Sequence, residues 1–341
     1  MQPEGLPIEL RSAPFRRILR NGTVAPSTRG GSLPPIGATP GSPSAGAAGT
    51  YPLAGRTVAR VGFGAMQLPG PGVWGPPADR DRALAVLRRA VELGINHIDT
   101  ADFYGRSVAN HLIREALHPY PDDLVIVSKV GATRDDEGAW VPAQRPADLR
   151  AGVEANLRSL ALERVDIVNL RVMGSDDHHE LPPDQQVDLD SQLAEMVALR
   201  EEGKIGAIGV STVTLEQLRQ ALPAGIACVQ NPYSVLDRSG EPLLELCARR
   251  GVAWVPYFPL GSAFAGMPKV AEHPTVLDAA ARLEVSPAQV GLAWLLAHDE
   301  RILLIPGTSS LEHLADNVAT AEVRLDADTM AALDALGAPA A

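Results

Sequence analysis

The fold is decided by a segment that starts with Leu124-Val125-Ile126-Val127-Ser128-Lys129-Val130 and ends with Val165-Asp166-Ile167-Val168-Asn169-Leu170. Both ends are short runs rich in β-branched residues, which is typical of buried strands. Between them lies an apolar stripe at helical spacing, formed by Leu149, Val153, Leu157 and Leu160. Because the two runs are continuously apolar, the segment predicts two parallel strands joined by a covering helix.

The same alternation extends along the chain in both directions. One helix pattern opens with Ser286-Pro287-Ala288-Gln289, a capping box with proline at the first helical position. The eight strand candidates are Val58 to Phe63, Asn96 to Thr100, Leu124 to Val130, Val165 to Leu170, Ile205 to Val210, Ala227 to Gln230, Ala253 to Tyr257 and Ile302 to Ile305. Eight such units predict an α/β protein, a closed (βα)8 TIM barrel that forms a single domain over residues 51–341.

An open, doubly wound sheet is the alternative architecture. It usually carries a turn with three spaced glycines that opens a helix after the first strand. Here Gly62-Phe63-Gly64-Ala65-Met66-Gln67 lacks the third glycine and does not open a helix. The sequence therefore favours the barrel, in which functional residues gather at the carboxyl ends of the strands.

Residues 1–50 differ from the rest in composition. They are rich in Gly, Pro, Ser and Ala and have no sustained apolar period. Such a segment buries too little apolar surface to offset its ordering entropy. We interpret it as a disordered extension, or as the result of a start codon assigned too early; the arginines at 11, 16, 17 and 20 leave a transit peptide as a weaker alternative.

Charge and cysteine content exclude several classes of function. The chain has 30 basic and 41 acidic residues, a net charge of -11, which disfavours nucleic acid and anionic membranes as partners. Its two cysteines cannot form a disulfide framework, and His178-His179 lies in an acidic loop where histidines are usually solvated, so no metal site is expected. The sequence has no apolar run long enough to span a membrane, so we predict a cytoplasmic protein.

An acid, a phenol and an amine are predicted to meet at the functional rim. Asp99 ends the second strand, Tyr104 follows in its loop, and Lys129 lies on the third strand. A phenol with a pKa of about 10 is a weak acid, but a nearby ammonium lowers that pKa, and a carboxylate keeps a buried ammonium charged. Taken singly, Asp99 and Lys129 could be an ion pair at a strand end, and Tyr104 an aromatic residue that covers the barrel. Taken together, the three residues favour proton-transfer catalysis.

From about Tyr51 onward the chain resembles the aldo-keto reductase family. The similarity is carried by Asn96 to Gly105 and Leu124 to Val130, and also by residues 200–211, 229–234 and 305–310. The resemblance implies a (βα)8 barrel that transfers hydride from a nicotinamide cofactor to a small-molecule carbonyl. It also implies a catalytic tetrad of Asp, Tyr, Lys and His, whose first three members correspond to Asp99, Tyr104 and Lys129.

The fourth member of the tetrad departs from the family pattern. Arg171 stands where family members usually carry histidine. Arginine stays protonated and has only donors, so it cannot relay a proton, although it can bind a developing alkoxide. The structural alternative is an arginine at the rim that pairs with Asp166 or another nearby acid.

The resemblance also implies the cofactor site, with NADPH preferred and NADH possible. Ser211 and Gln230 correspond to ligands of the nicotinamide carboxamide, and Tyr257 to the aromatic residue on which the nicotinamide stacks. The turn of Leu260, Gly261 and Ser262 is expected near the pyrophosphate, and the helix start after the eighth strand near the adenosine phosphate. The full expected set is Gly64, Ala65, Ser211, Thr212, Gln230, Tyr257, Leu260, Gly261, Ser262, Gly307, Thr308, Ser309, His313, Asp316 and Asn317.

Two points about the phosphate region stay open at the level of sequence. Family members often have lysine and arginine where this chain has Gly307 and His313, which weakens the expected preference for a 2′-phosphate. Ordinary helix capping by Ser309 or Ser310 is the alternative to phosphate binding.

The sequence says less about the substrate than about the fold or the cofactor. Trp74 and Trp140 are candidate walls of the substrate pocket, or simply aromatics that pack as lids. Within the family, residues 64–68, 72–77 and 169–173 are similar to a bacterial branch that reduces pyridoxal. A broad aldehyde or ketone reductase is the alternative, as is a regulatory subunit that binds NADPH with little turnover. We expect a monomer or a weak homo-oligomer.

Overall fold

The computed structural model describes residues 43–174, 181–261 and 269–337. Within these ranges the strands are β1 Thr50–Leu53, β2 Arg56–Ala59, β3 Phe63–Gly64, β4 His97–Asp99, β5 Val125–Arg134, β6 Trp140–Ala143, β7 Val165–Arg171, β8 Ile205–Ser211, β9 Ile226–Gln230 and β10 Ala253–Trp254. The α-helices are α1 Arg80–Glu92, α2 Val108–Leu117, α3 Pro146–Leu160, α4 Leu189–Glu201, α5 Leu215–Ala221, α6 Glu241–Arg250, α7 Pro274–Leu283, α8 Pro287–His298, α9 Leu311–Ala319 and α10 Ala327–Asp334. None of these helices combines the length and apolarity needed to cross a membrane.

The main sheet is parallel and closes on itself. Its hydrogen-bonded order is β3, β4, β5, β7, β8, β9, β10. Residues 302–304 complete the circle, because Ile302 bridges Trp254 on one side and Leu304 bridges Val61 on the other, both in parallel. The segment predicted as the eighth strand thus joins the last strand to the first, and the predicted barrel is confirmed.

A β-hairpin precedes the barrel, and the sequence analysis did not separate it from the first barrel strand. Strand β2 pairs antiparallel with β1 across a turn at Ala54-Gly55, whose φ values of 49° and 78° suit a tight hairpin. Leu53 and Val58 are buried in the same apolar cluster as the inward-facing side chains of the barrel. The hairpin therefore plugs the end of the barrel where the strands begin.

The predicted boundary of the N-terminal extension at residue 50 was wrong. Residues 45–48 form a short 3-10 turn, and β1 already begins at Thr50. Ala45 is fully buried, and its N–H donates to the carbonyl of Leu93 at the end of α1. The composition of the segment did not reveal this contact, because the buried residue is a single alanine, Ala45, within a run of small residues. Residues 1–42, and the expectation that they are disordered, lie outside the described ranges.

The seam between the first and eighth strands requires glycine. A Cβ at Gly64 would lie 2.4 Å from the Ile305 carbonyl oxygen, and one at Gly307 would lie 2.6 Å from the Gly64 carbonyl oxygen. Real Cβ atoms do not approach backbone oxygens this closely, so any side chain here would push the two strands apart.

We predict that Gly64→Ala lowers the free energy of unfolding by about 1–3 kcal/mol, because the added methyl group overpacks the seam. Urea denaturation followed by circular dichroism measures this loss. Gly46→Ala is the matched control, since its Cβ would lie 3.7 Å from the nearest atom, the Ser44 hydroxyl. Equal denaturation midpoints for the two variants would contradict the role assigned to the seam.

Candidate active site

A buried ion pair lies at the centre of the rim. Lys129 Nζ donates to Asp99 Oδ1 and, at 3.1 Å, to the Thr100 carbonyl. Both charged side chains are almost completely buried. Burial alone would lower the pKa of Lys129, but Asp99 and Tyr104 outweigh it and the net pKa is raised. Lys129 therefore remains an ammonium at neutral pH, as the sequence analysis predicted.

Tyr104 lies in the loop after β4 and is buried beside this pair. Lys129 Nζ is 5.1 Å from the centroid of its ring. Burial and the charge of Asp99 together raise the pKa of Tyr104 more than Lys129 and Arg171 lower it, so its net pKa is raised. The expectation of a net lowering was wrong, because it considered the cation without the desolvation of the phenolate. Tyr104 is thus held as a neutral phenol that can donate a proton.

Arg171 ends β7 on the same rim. Its guanidinium carbon is 5.9 Å from the Trp140 ring centroid, and its charge lowers the pKa of Tyr104. Asp166 accepts instead from the Ile126 N–H at 2.9 Å, so the alternative pairing of Arg171 with Asp166 is not formed. Among the described residues, the buried Nε of Arg171 has no hydrogen-bond partner.

The two tryptophans of the predicted substrate pocket both lie at the hairpin of β5 and β6. Trp140, on β6, contacts Phe103 and Tyr104 edge-on, with ring centroids 5.3 and 6.4 Å apart. Trp74 packs on Gly138, where a Cβ would lie 2.9 Å from the indole. The hairpin of β5 and β6 thus places one tryptophan beside the phenol and supports the other.

Four of the expected cofactor residues meet on neighbouring strand ends. Gln230 Nε2 donates to Asp99 Oδ2 at 2.6 Å, while its Oε1 is buried without a partner among the described residues. Ser211 is paired in register with Gln230, and the Thr212 hydroxyl lies 3.2 Å from that of Tyr257. A buried, unused acceptor suits the amide N–H of a nicotinamide carboxamide. These residues therefore fit the cofactor that the sequence analysis predicted.

The phosphate region begins at the end of the eighth strand. Ser310, not Ser309, caps α9, because its hydroxyl accepts from the His313 N–H at 3.3 Å. Ser309 is exposed beside the helix start, whereas Thr308 is buried and accepts from the Ser310 N–H at 3.0 Å. His313 and Asp316 are exposed on α9, and Asn317 is half-buried.

The remaining expected cofactor residues differ from one another in their surroundings. Gly261 has a φ of 82°, and Leu260 packs against α8 at Gly291. Ser262 lies outside the described residues, as do the histidines at 178 and 179. Gly64 and Ala65 are buried, and Ala65 has no exposed surface, so its side chain packs in the core. Within the described ranges, no cluster of three or more His, Cys, Asp or Glu side chains could hold a metal ion.

A buried polar network under the site was missed by the sequence analysis. Asn110 on α2 accepts from the Thr100 hydroxyl at 2.8 Å and donates to Asn156 and Ser159 on α3. Ser159 in turn donates to Asp102 at 2.8 Å. The network fixes the start of the Tyr104 loop, at Thr100 and Asp102, against two helices. Polar residues within an otherwise apolar helical stripe, as at Asn156, are the signal that could have revealed it.

A second missed residue is Arg134, at the end of β5. It is only 5% exposed, and its guanidinium stacks on the Trp140 ring at 3.8 Å from the centroid. Nothing in the sequence marks it, because its hydrogen bonds go to backbone carbonyls.

Comparison with known proteins supplies the family. The model of the aldo/keto reductase family matches residues 60–338. This chain belongs to the aldo/keto reductase family. It is 45% identical to a pyridoxine 4-dehydrogenase of Escherichia coli K12, over 84% of this chain and 98% of that protein. It is 37% identical to an oxidoreductase of Schizosaccharomyces pombe, over 85% of this chain and 90% of that protein.

The fold of a solved aldo/keto reductase agrees with this assignment. An enzyme from Klebsiella pneumoniae, solved in complex with NADP and acetate, is 27% identical and has a TM-score of 0.69 over 84% of this chain and 94% of that chain. This chain is therefore an oxidoreductase of the aldo/keto reductase family, as the sequence predicted.

The structure explains one of the missing cations and suggests a test of the other. Lysine cannot stand at Gly307 without displacing the Gly64 carbonyl, whereas His313 is exposed on α9.

We predict that His313→Arg lowers the KM for NADPH about fivefold and leaves the KM for NADH unchanged, since a guanidinium binds the extra phosphate. Initial rates with both cofactors measure this. His111→Arg is the control, because it adds the same charge at an exposed position of α2. Equal effects of the two variants on the KM for NADPH would contradict the prediction.

Proposed function

We propose that this aldo/keto reductase reduces the aldehyde of pyridoxal to the alcohol of pyridoxine, with Tyr104 as the proton donor. The observation that carries the proposal is the buried Asp99–Lys129 pair beside a buried, neutral phenol. The name of the Escherichia coli relative supports pyridoxal as the substrate. A broad aldehyde reductase would share the phenol and the ion pair and differ only in the substrate pocket.

The proposed catalytic residues divide the work of proton transfer. NADPH, when bound, supplies the hydride that reduces the carbonyl carbon. Tyr104 gives its hydroxyl proton to the carbonyl oxygen, which becomes the alcohol oxygen. Lys129 stabilises the resulting phenolate, and Asp99 keeps Lys129 charged despite its burial.

Arg171 has a separate proposed role at the substrate oxygen. Pyridoxal carries an ionisable phenolic oxygen next to its aldehyde, and a guanidinium offers donors to two oxygens at once. The buried Nε of Arg171 and its position beside Trp140 support this role. Because arginine keeps its proton, Arg171 binds charge rather than relaying protons, as the sequence analysis expected for a residue in the place of histidine.

The expected cofactor residues take distinct roles in this proposal. Ser211 and the Oε1 of Gln230 hold the carboxamide, and Tyr257, next to Thr212, provides the face for the nicotinamide. Leu260 and Gly261 would hold the pyrophosphate, together with Ser262, which lies outside the described residues. The adenosine phosphate is held at the start of α9 by Gly307, Thr308, Ser309, His313, Asp316 and Asn317, with Gly64 contributing backbone alone.

We also infer a cytoplasmic, weakly associating enzyme. Cys228 and Cys247 are buried and unpaired, which suits a reducing compartment. Within the described ranges, the exposed large apolar side chains are Leu277 and Leu311, so little apolar surface there supports a tight oligomer.

We predict that Tyr104→Phe lowers kcat with pyridoxal by about 100-fold or more, because general acid catalysis typically contributes 10²–10⁴-fold, and leaves the Kd for NADPH within about twofold. Absorbance at the NADPH band measures turnover, and protein fluorescence measures binding. Unchanged turnover in the variant would remove the phenol from the mechanism. Wild-type protein that binds NADPH but turns over no aldehyde would instead support a regulatory subunit.

We predict that Arg171→Gln lowers kcat/KM for pyridoxal about tenfold more than for benzaldehyde, because only pyridoxal offers a second oxygen anion to the guanidinium. The comparison needs only steady-state rates with the two aldehydes. Equal losses for both would argue against a specific contact. Wild-type turnover of pyridoxal no faster than that of benzaldehyde would favour the broad-specificity enzyme.

A further inference from the structure

Arg134 is a buried cation whose hydrogen bonds, within the described residues, go to carbonyls of three separate segments. Its Nη2 donates to Gly72 and Val73 at 2.8 and 2.7 Å. Its Nη1 donates to Gly138 at 2.6 Å, and its Nε donates more weakly to Phe103 at 3.4 Å. One guanidinium therefore ties together the loop before α1, the hairpin between β5 and β6, and the loop that carries Tyr104.

The loop before α1 is held in a strained conformation by these contacts. Val73 has a φ of 58°, which β-branched residues rarely adopt. Its carbonyl accepts from Arg134 and also, at 3.0 Å, from the Gly105 N–H directly after Tyr104. A strained residue of this kind persists only where its surroundings fix it, and such residues gather at functional sites.

The same guanidinium also organises the aromatic residues of the rim. Arg134 Cζ lies 3.8 Å from the Trp140 centroid and 5.8 Å from the Trp74 centroid. A cation at this distance over an indole face is an attractive and oriented contact. Trp140 then meets the Tyr104 ring edge-on at 6.4 Å. The position of the indole beside the proposed proton donor thus depends on Arg134, whose hydrogen bonds within the described residues go to backbone carbonyls and not to the Tyr104 hydroxyl.

We propose that Arg134 is the positioning residue that sets substrate preference, because it holds the Trp140 indole where a flat aromatic aldehyde packs during reduction. The proposal rests on the proposed role of Tyr104 as proton donor, but not on pyridoxal as the substrate. A purely structural arginine would affect all aldehydes alike. A positioning arginine affects those that use the indole.

The first test is Arg134→Lys, which keeps the charge and loses the planar set of donors. We expect the ratio of kcat/KM for 4-nitrobenzaldehyde to that for propanal to fall about tenfold, the size expected for losing one charge-assisted contact, while the Kd for NADPH stays within about twofold. Arg106→Gln is the matched control, because Arg106 lies 5.8 Å from Trp74 but is exposed and pairs with Asp136. Parallel losses for both aldehydes in Arg134→Lys would overturn the proposal.

A double-mutant cycle separates action through the indole from general damage. Trp140→Leu removes the indole and leaves Arg134 in place. We expect it to lower the same ratio by a similar factor, and the double variant with Arg134→Lys to lower it no further. Additive losses would show that Arg134 does not act through Trp140.

A final measurement does not depend on turnover. In Arg134→Lys we expect hydrogen exchange at the Gly105 amide to become about tenfold faster, because its acceptor on Val73 is no longer fixed. Unchanged exchange at the Gly105 amide would overturn the proposal for Arg134, whatever the substrate is. If pyridoxal is not the substrate, faster exchange in Arg134→Lys is still expected.

Discussion

The site depends on the burial of one ammonium against one carboxylate. Removing Lys129 from water would favour its neutral form, and Asp99 reverses that preference. Asp99 is itself fixed by a second donor, since Gln230 occupies its other oxygen. Gln230 also presents an acceptor, Oε1, that has no partner among the described residues. The ion pair therefore connects the proposed proton donor to the proposed carboxamide site through two side chains. A change in either partner would alter both halves of the site.

The sequence predicted which residues meet at the rim better than it predicted their energetics. Asp99, Tyr104 and Lys129 are recognisable because they stand at or near strand ends, where a barrel gathers its functional groups. The direction of the shift in the pKa of Tyr104 is a balance between depth of burial and distance to charge. Neither quantity is encoded in spacing along the chain, so only coordinates could decide its sign.

The missed features share a different cause. The run from Val58 to Phe63 contains parts of two strands, and only the turn at Ala54-Gly55 shows that the first part folds back on β1. Arg134 escaped notice because carbonyl partners have no sequence signature. Thr212 has a φ of 59°, in the left-handed region that β-branched residues rarely adopt, and this too cannot be read from the residue type.

The hairpin at the base of the barrel has a consequence for the passage of reactants. Within the described residues, Leu53 and Val58 pack against the inward-facing side chains and close that end of the barrel. The proposed reactants therefore share the opposite mouth, where the barrel strands end. The loops around that mouth, including the one that carries Tyr104, are thus the elements that every reactant passes on entry and on exit.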